Sequence, residues 1–290
     1  MWEHAATRRN VATLRARGVT VVEPASGRLA SGAWGTGRLP EVEVLLGHVR
    51  WALARHGDLA GRRVVVTAGG TREPLDPVRH LTNRSSGKMG HAVAAAARDR
   101  GARVTLITTA TPVEAVGMEV RRVETALEMQ QAVQEALPGA DVLVMAAAVA
   151  DYRPARISPT KVKKGPARWT LELVRNPDIL EEARGPFLRV GFAAETEDLV
   201  ARAREKLRRK ALDLVVANLV GVPDSGFEAD TNRVTLVSPE GEEELPLLPK
   251  LQVAYRLWDR LVPRLAARPP LPHPDAPPDP PPRPEGGTGP

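Results

Sequence analysis

The sequence predicts an α/β fold: a Rossmann-like, mostly parallel sheet with helices on both faces, finished by a C-terminal hairpin and helix. Three observations carry this. Strand-like and helix-like segments alternate from about residue 61 to 217, the pattern of right-handed crossover units. The strand segments are short apolar runs such as Val64–Val66 and Val104–Thr108, which read as buried. Three of them end in small or polar residues, at 69–83, 146–151 and 192–196, where open α/β sheets hold their ligands.

Residues 1–45 contain a helix closed by Gly18, a short strand VTVVEP (19–24) and a Gly-rich loop, too little to bury a core alone. Residues 41–56 space Val44, Leu45, His48, Trp51, Ala52 and Arg55 along one face, as in a linker helix with a sticky side. The first strand of the main domain runs into Gly69-Gly70, then into a polar loop, 71–84, with no apolar periodicity. Loops of that length in compact domains are usually functional or disordered. A helix follows, with Ser85 or Ser86 as N-cap candidate and Gly101 as its stop. Next come a strand at 104–108, a short strand at 118–123, and a helix at 125–137 with Leu127, Met129, Val133 and Ala136 facing inward.

The strand at 141–145 runs into Ala146-Ala147-Ala148-Val149-Ala150-Asp151. Alanines at a strand end leave room for a flat group against the backbone, and Asp151 offers a carboxylate to hydroxyls or a metal; an ordinary alanine run with a capping Asp fits equally. A polar arm, 153–168, carries Lys161-Val162-Lys163-Lys164. Residues 169–174 alternate as a strand should. Asn176-Pro177-Asp178 reads as a helix start, Asn at the N-cap and Pro at the first helical position. A strand at 188–196 and an amphipathic helix at 197–210 follow, the latter placing Lys206 and Lys210 on one face. Then come a strand at 212–217, a hairpin around Ser238–Gly241, and a closing helix at 250–266. From Pro269, eleven of 22 residues are proline, which predicts an extended, disordered tail.

Composition narrows the function. The chain has 290 residues and no cysteine, so no disulfide framework and no thiol nucleophile. No apolar run reaches membrane-spanning length and no apolar leader opens the chain, so a cytoplasmic protein without membrane partner is expected. A net charge of +6 suits an anionic ligand. Aromatics make up only 3%, too few for base-stacking platforms, so nucleic acid is not expected. Only seven of the 41 basic residues are lysine, six of them at 88, 161, 163, 164, 206 and 210, where a compact ammonium is wanted. Ser85-Ser86-Gly87-Lys88 suits an anion at a helix N-terminus, although a solvated helix start would look the same. It is neither a P-loop nor a GxGxxG turn, and no ribose-binding acid follows the second strand.

Five segments, TREPLDPVRHLTNRSSGKMG, AAAVADYRP followed by KVKK, LVRNPDIL, GFAAET and FEADTNRV, in this order and spacing, resemble bacterial phosphopantothenate–cysteine ligase of coenzyme A biosynthesis. The resemblance covers about residues 60–262. It implies a ligase domain at 61–266 behind a linker helix at 46–60, with a disordered tail at 267–290. Residues 1–45 are similar to the end of the flavin-dependent decarboxylase fused ahead of the ligase in many bacteria, with Ser31 where that family's flap has Cys. This implies either a truncated reading of a longer fusion or a ligase carrying a relic, with no FMN and no decarboxylase activity. The implied chemistry is activation of the 4′-phosphopantothenate carboxylate by CTP with Mg2+, then capture by L-cysteine. The resemblance assigns Asn83, Arg79 and Lys161 to catalysis. It assigns Met145, Ala146, Ala147, Asp151, Lys161, Pro177, Asp178, Ile179, Leu180, Phe192, Lys206 and Lys210 to the nucleotide. Ser85, Gly87 and Lys88 are left for the substrate phosphate, and no metal ligand is assigned. It further implies a homodimer in which the 153–174 arm reaches across, possibly together with the decarboxylase. The alternatives are a nicotinamide-dependent oxidoreductase and a non-catalytic nucleotide-binding partner of a separate decarboxylase.

Overall fold

The computed structural model describes residues 1–111, 115–165, 168–195, 197–219, 226 and 228–268. The proline-rich tail expected from residue 269 lies outside the described residues, as does Thr196. The centre is an eight-stranded sheet. Its strands, in chain order, are β1 (Arg63–Ala68), β2 (Arg103–Thr108), β3 (Met118–Arg122), β4 (Val142–Met145), β5 (Leu188–Glu195), β6 (Leu214–Leu219), β7 (Val234–Ser238) and β8 (Gly241–Glu244). Their order in space is β3-β2-β1-β4-β5-β6-β7-β8. The first six are parallel, whereas β7 and β8 pair antiparallel at one edge. The strand order therefore reverses between β1 and β4, the place where doubly wound sheets open a crevice beyond their carboxyl ends.

The apolar runs are continuous because both sheet faces are covered. Val64, Val66, Val142, Val144, Val190 and Val216 face one layer, made by the helices Lys88–Arg98 and Lys250–Ala266. Val65, Leu143, Met145, Val215 and Ala217 face the other, made by Ala126–Ala136, Ile179–Glu182 and Leu199–Arg209. Trp258 is fully buried between the two helices of the first layer and donates its indole N–H to Val93 O at 3.0 Å.

Several expectations are corrected. Residues 19–24 are irregular; the strands of the N-terminal region are Ala25–Arg28 and Trp34–Arg38, which turn the Gly-rich segment into a hairpin. Leu127 is exposed, because Met129, Ala132, Val133 and Ala136 fill the inward stripe of its helix. The alternating segment at 169–174 enters a strand only at Leu173–Arg175, which pairs with Tyr152–Pro154 as a two-stranded ribbon outside the main sheet. The long polar loop is itself a ribbon, Arg72–Pro74 against His80–Thr82. Among the described residues no helix is long and apolar enough to cross a membrane.

Replacing Trp258 by Ala removes the largest buried side chain of the closing helix. It should cost about 3–5 kcal/mol, read as a lower urea midpoint with an unchanged dependence on denaturant.

Candidate functional site

A cavity of about 520 Å³ opens beyond the carboxyl ends of β1, β4 and β5. One wall is the start of the helix Lys88–Arg98. Its N-cap is Gly87, not Ser85 or Ser86, although Ser86 Oγ accepts from Lys88 N at 3.5 Å. Gly87 has φ +79°, and a Cβ there would lie 3.1 Å from Gly69 N. Gly90 approaches closer still: its Cβ would stand 2.6 Å from Ala68 Cβ. Glycine thus lets the helix end rest on the end of β1, with the first-turn N–H groups and their partial positive charge at the cavity.

The second wall is 145–151, and its shape is fixed by bonds to β1. Ala147 N donates to Thr67 Oγ1 at 3.2 Å, Ala150 N to Thr71 Oγ1 at 2.9 Å, and Ala148 N to Gly69 O at 2.8 Å. Asn83 closes the corner, its amide donating to Ala148 O and Val149 O, each at 3.2 Å. Its side chain therefore ties the polar loop to the alanine run. Asn176 does not cap a helix. Its buried amide donates to Ala150 O at 2.8 Å, and Asp178 caps the short helix instead by accepting from Glu181 N at 3.1 Å.

The cavity has two cationic ends. At one, Lys206 donates to Phe192 O at 2.5 Å, and Lys210 forms an ion pair with Asp178. Burial, reinforced by Lys210, lowers the Lys206 pKa below that of an ordinary lysine. Burial alone would raise the Asp178 carboxyl, but the Lys210 ammonium and Glu181 N–H outweigh it and hold the carboxyl low. At the other end, Lys88 reaches Glu228 O at 2.9 Å and Asp230 at 2.7 Å. The buried Lys250 donates to Gly226 O at 2.9 Å and to Ala229 O. Burial, followed by repulsion from Lys88, lowers Lys250 to about 8.

The cavity brings together Asn83, Ser85, Gly87, Lys88, Met145, Ala146, Ala147, Asp151, Pro177, Asp178, Ile179, Leu180, Phe192, Lys206 and Lys210. It does not include Arg79 or Lys161. The Arg79 guanidinium, expected at the substrate, is instead bonded to Asp76 at 2.5 Å and to Val162 O at 2.8 Å. Lys161 is exposed on the arm. Sequence reasoning gave no site role to Lys250, Asn218 or Asn232, which also line the cavity. Lys250 had a signal, since it is the seventh lysine of a lysine-poor chain. Among the described residues no group of three or more His, Asp or Glu side chains is arranged to hold a metal.

The chain is thus a doubly wound α/β protein with a helix N-terminus and two lysine-bearing ends in its switch-point crevice. Residues 59–264 match the model of the DNA/pantothenate metabolism flavoprotein C-terminal domain, and the chain belongs to that family. It is 50% identical over 287 residues to the coenzyme A biosynthesis bifunctional protein CoaBC of Mycobacterium tuberculosis, an alignment spanning 92% of this chain and 68% of that protein. The Bacillus subtilis protein of the same name is 43% identical over 269 residues, 90% of this chain and 66% of the relative. The chain thus spans about two thirds of the length of these curated relatives. Among solved structures, the C-terminal domain of a CoaBC protein superposes with a TM-score of 0.61 at 37% identity, covering 73% of this chain and 99% of that one. The kinship drawn from the five sequence segments holds.

A lysine with a lowered pKa gives up its proton earlier as pH rises. Binding of pyrophosphate at the Lys206–Lys210 end should therefore weaken with rising pH before 10.5, the ordinary lysine value. Lys206→Arg, which keeps its charge, should flatten that decline. Calorimetric titration between about pH 7 and 10 measures both, and parallel declines would refute the assignment.

Proposed function

We propose that this chain joins 4′-phosphopantothenate to L-cysteine at the expense of CTP, as a ligase of coenzyme A biosynthesis. The observation that supports it most is the convergence of Asn83, the helix start at Gly87–Lys88 and the Lys206–Lys210 pair on one cavity. Two phosphorylated reactants need two anion-accepting ends, and this cavity has two.

In this reading a carboxylate oxygen of 4′-phosphopantothenate attacks the α-phosphorus of CTP. The new P–O bond forms as the α–β P–O bond breaks, and pyrophosphate leaves. The cysteine amine then attacks the acyl carbon of the cytidylate. The C–N bond forms, the C–O bond breaks, CMP departs, and the amine loses a proton. Charge develops on phosphoryl oxygens in the first step, where Lys206 and Lys210 accept it by exchanging Phe192 O and Asp178 for phosphate, beside backbone N–H groups of the cavity wall. The alanine wall 146–148 and Phe192 accept the flat base, and Ile179 and Leu180 form the floor beneath it. Asn83 holds the acyl group, Lys161 serves the phosphates and the second half-reaction, and Ser85, Gly87 and Lys88 take the substrate phosphate. Mg2+ is commonly held by one or two carboxylates with substrate phosphates and water, so the exposed Asp151 on the cavity wall suffices as its protein ligand. The metal would neutralise phosphate charge. The reading calls for no FMN.

A homodimer belongs to the same proposal. The ribbon exposes Tyr152, Ile157, Trp169, Leu173 and Val174, a set of apolar side chains suited to a second copy. Residues 1–45 belong, in this reading, with a decarboxylase unit such as the bifunctional relatives carry. Leu14, Val19, Trp34 and Leu39 are exposed there, as a segment that packs on another unit would leave them. No feature of the cavity favours the nicotinamide-dependent alternative, and the two lysine poles exceed what a non-catalytic subunit requires.

Purified protein with Mg2+, CTP, 4′-phosphopantothenate and cysteine should give phosphopantothenoylcysteine and CMP by mass spectrometry, with little product when ATP replaces CTP. Asn83→Ala and Lys161→Gln should each lower turnover by about 10²-fold or more. Wild-type turnover in both variants, or no product from the folded protein, would end the proposal.

A further inference from the structure

Two ribbons rise from the rim of the cavity. The first, Arg72–Pro74 with His80–Thr82, leads into Asn83; the second, Tyr152–Pro154 with Leu173–Arg175, starts after Asp151. Each is fastened at its root. Buried Glu73 accepts from Ala126 N at 3.0 Å, and Arg153 donates to Asn176 Oδ1 at 2.9 Å. Their far ends are joined to each other. Ser158 N donates to Leu75 O at 3.0 Å, Val162 N to Asp76 Oδ2 at 3.1 Å, and Arg79 Nη2 to Val162 O at 2.8 Å. The Arg79 guanidinium also lies 5.0 Å from the ring centre of Trp169, within cation–π range.

Asp76 is the centre of this junction. It is 3% exposed at the tip of a projecting ribbon, where a carboxylate would ordinarily be solvated. Besides Val162 N, its two oxygens accept from Val78 N and Arg79 N, each at 2.9 Å, and from Arg79 Nε at 3.1 Å and Nη2 at 2.5 Å. A buried carboxylate with that many donors is costly to dehydrate unless every bond is made. The tip is therefore either closed, with the arm in place, or opened to water. Val162 is held on both sides of its backbone, and Lys161 is its neighbour.

We propose that Asp76 is a positioning residue for Lys161: with Arg79 it latches residues 158–162 and Trp169 to the 75–79 turn, so that both ribbons move as one body and Lys161 is presented at a fixed place beside the cavity rim. Arg79 acts within the latch. The catalytic consequence rests on the ligase reading; the latch itself does not.

The test uses Asp76→Asn in the full chain. The seven lysines allow a lysine-specific protease to report on the arm, because Lys88, Lys206, Lys210 and Lys250 lie in the folded cavity wall. Cleavage of the Lys161–Val162 bond, identified by fragment mass, should be at least about tenfold faster in the variant, since protection follows the population of the open form. Turnover should fall by about 10–100-fold with the KM for CTP unchanged, the signature of lost positioning and not of lost nucleotide binding. Thermal melting within a few degrees of wild type shows that the core is folded. Trp169→Ala, which leaves the Asp76 turn intact, should give the same changes in smaller measure. An arm that stays protected in both variants, or an arm released with full turnover, overturns the proposal. A released arm in a protein that makes no product even as wild type sinks the ligase reading and leaves the latch standing.

Discussion

The site depends on how closely one helix approaches the end of one strand. Gly90 leaves no room for a Cβ against Ala68, and Gly87 combines a tight approach to Gly69 with a left-handed φ that other residues rarely adopt. Any other residue would lift the helix Lys88–Arg98 off β1 and carry its first-turn N–H groups away from the crevice. Thr67 and Thr71 then use their hydroxyls to hold the backbone of 147–150 at the same height. The anion-facing helix end, the alanine wall and Asn83 thus share one support. These groups line the crevice as fixed dipoles, the kind of setting in which electrostatic interactions gain strength.

Lysine chemistry follows from that enclosure. Lys206 and Lys250 are both sheltered enough to bind their protons weakly, yet both keep carbonyl acceptors, Phe192 O for one and Gly226 O and Ala229 O for the other. An ammonium held by carbonyls is only partly compensated for its lost hydration. An arriving phosphoryl oxygen is a better partner than a neutral carbonyl, so Lys206 has something to gain from a ligand.

Much of this was legible in the sequence. The alternation of apolar runs and helices gave the order of elements, because strands covered on both faces have a composition that few other structures share. The small-residue strand ends marked the cavity, and Lys206 and Lys210 followed from helical spacing. Three kinds of fact were hidden. The ribbon at 72–82 carries no apolar alternation; it is held instead by Glu73 accepting from the distant Ala126 N and by Thr82 donating to Thr71 O across the ribbon. Asn176 reads as a helix cap but serves Ala150 O, because the tertiary partner outcompetes the local one. Arg79 bonds to Asp76, three residues earlier, and to Val162, which no sequence spacing could place beside it.

The end of the domain bears on how it can be assembled into larger proteins. Arg62, just before β1, donates to Asp141 at 3.0 Å and to the carbonyls of Leu265 and Arg268, each at 2.6 Å. One guanidinium thus joins the entrance and the exit of the domain, at the amino ends of the central strands, opposite the crevice. A unit whose two ends meet on the side away from its chemistry behaves as a cassette. It can be appended, inserted into another chain or circularly permuted across that short gap while the crevice keeps its shape. Evolution can therefore change what the domain is joined to without renegotiating what it binds.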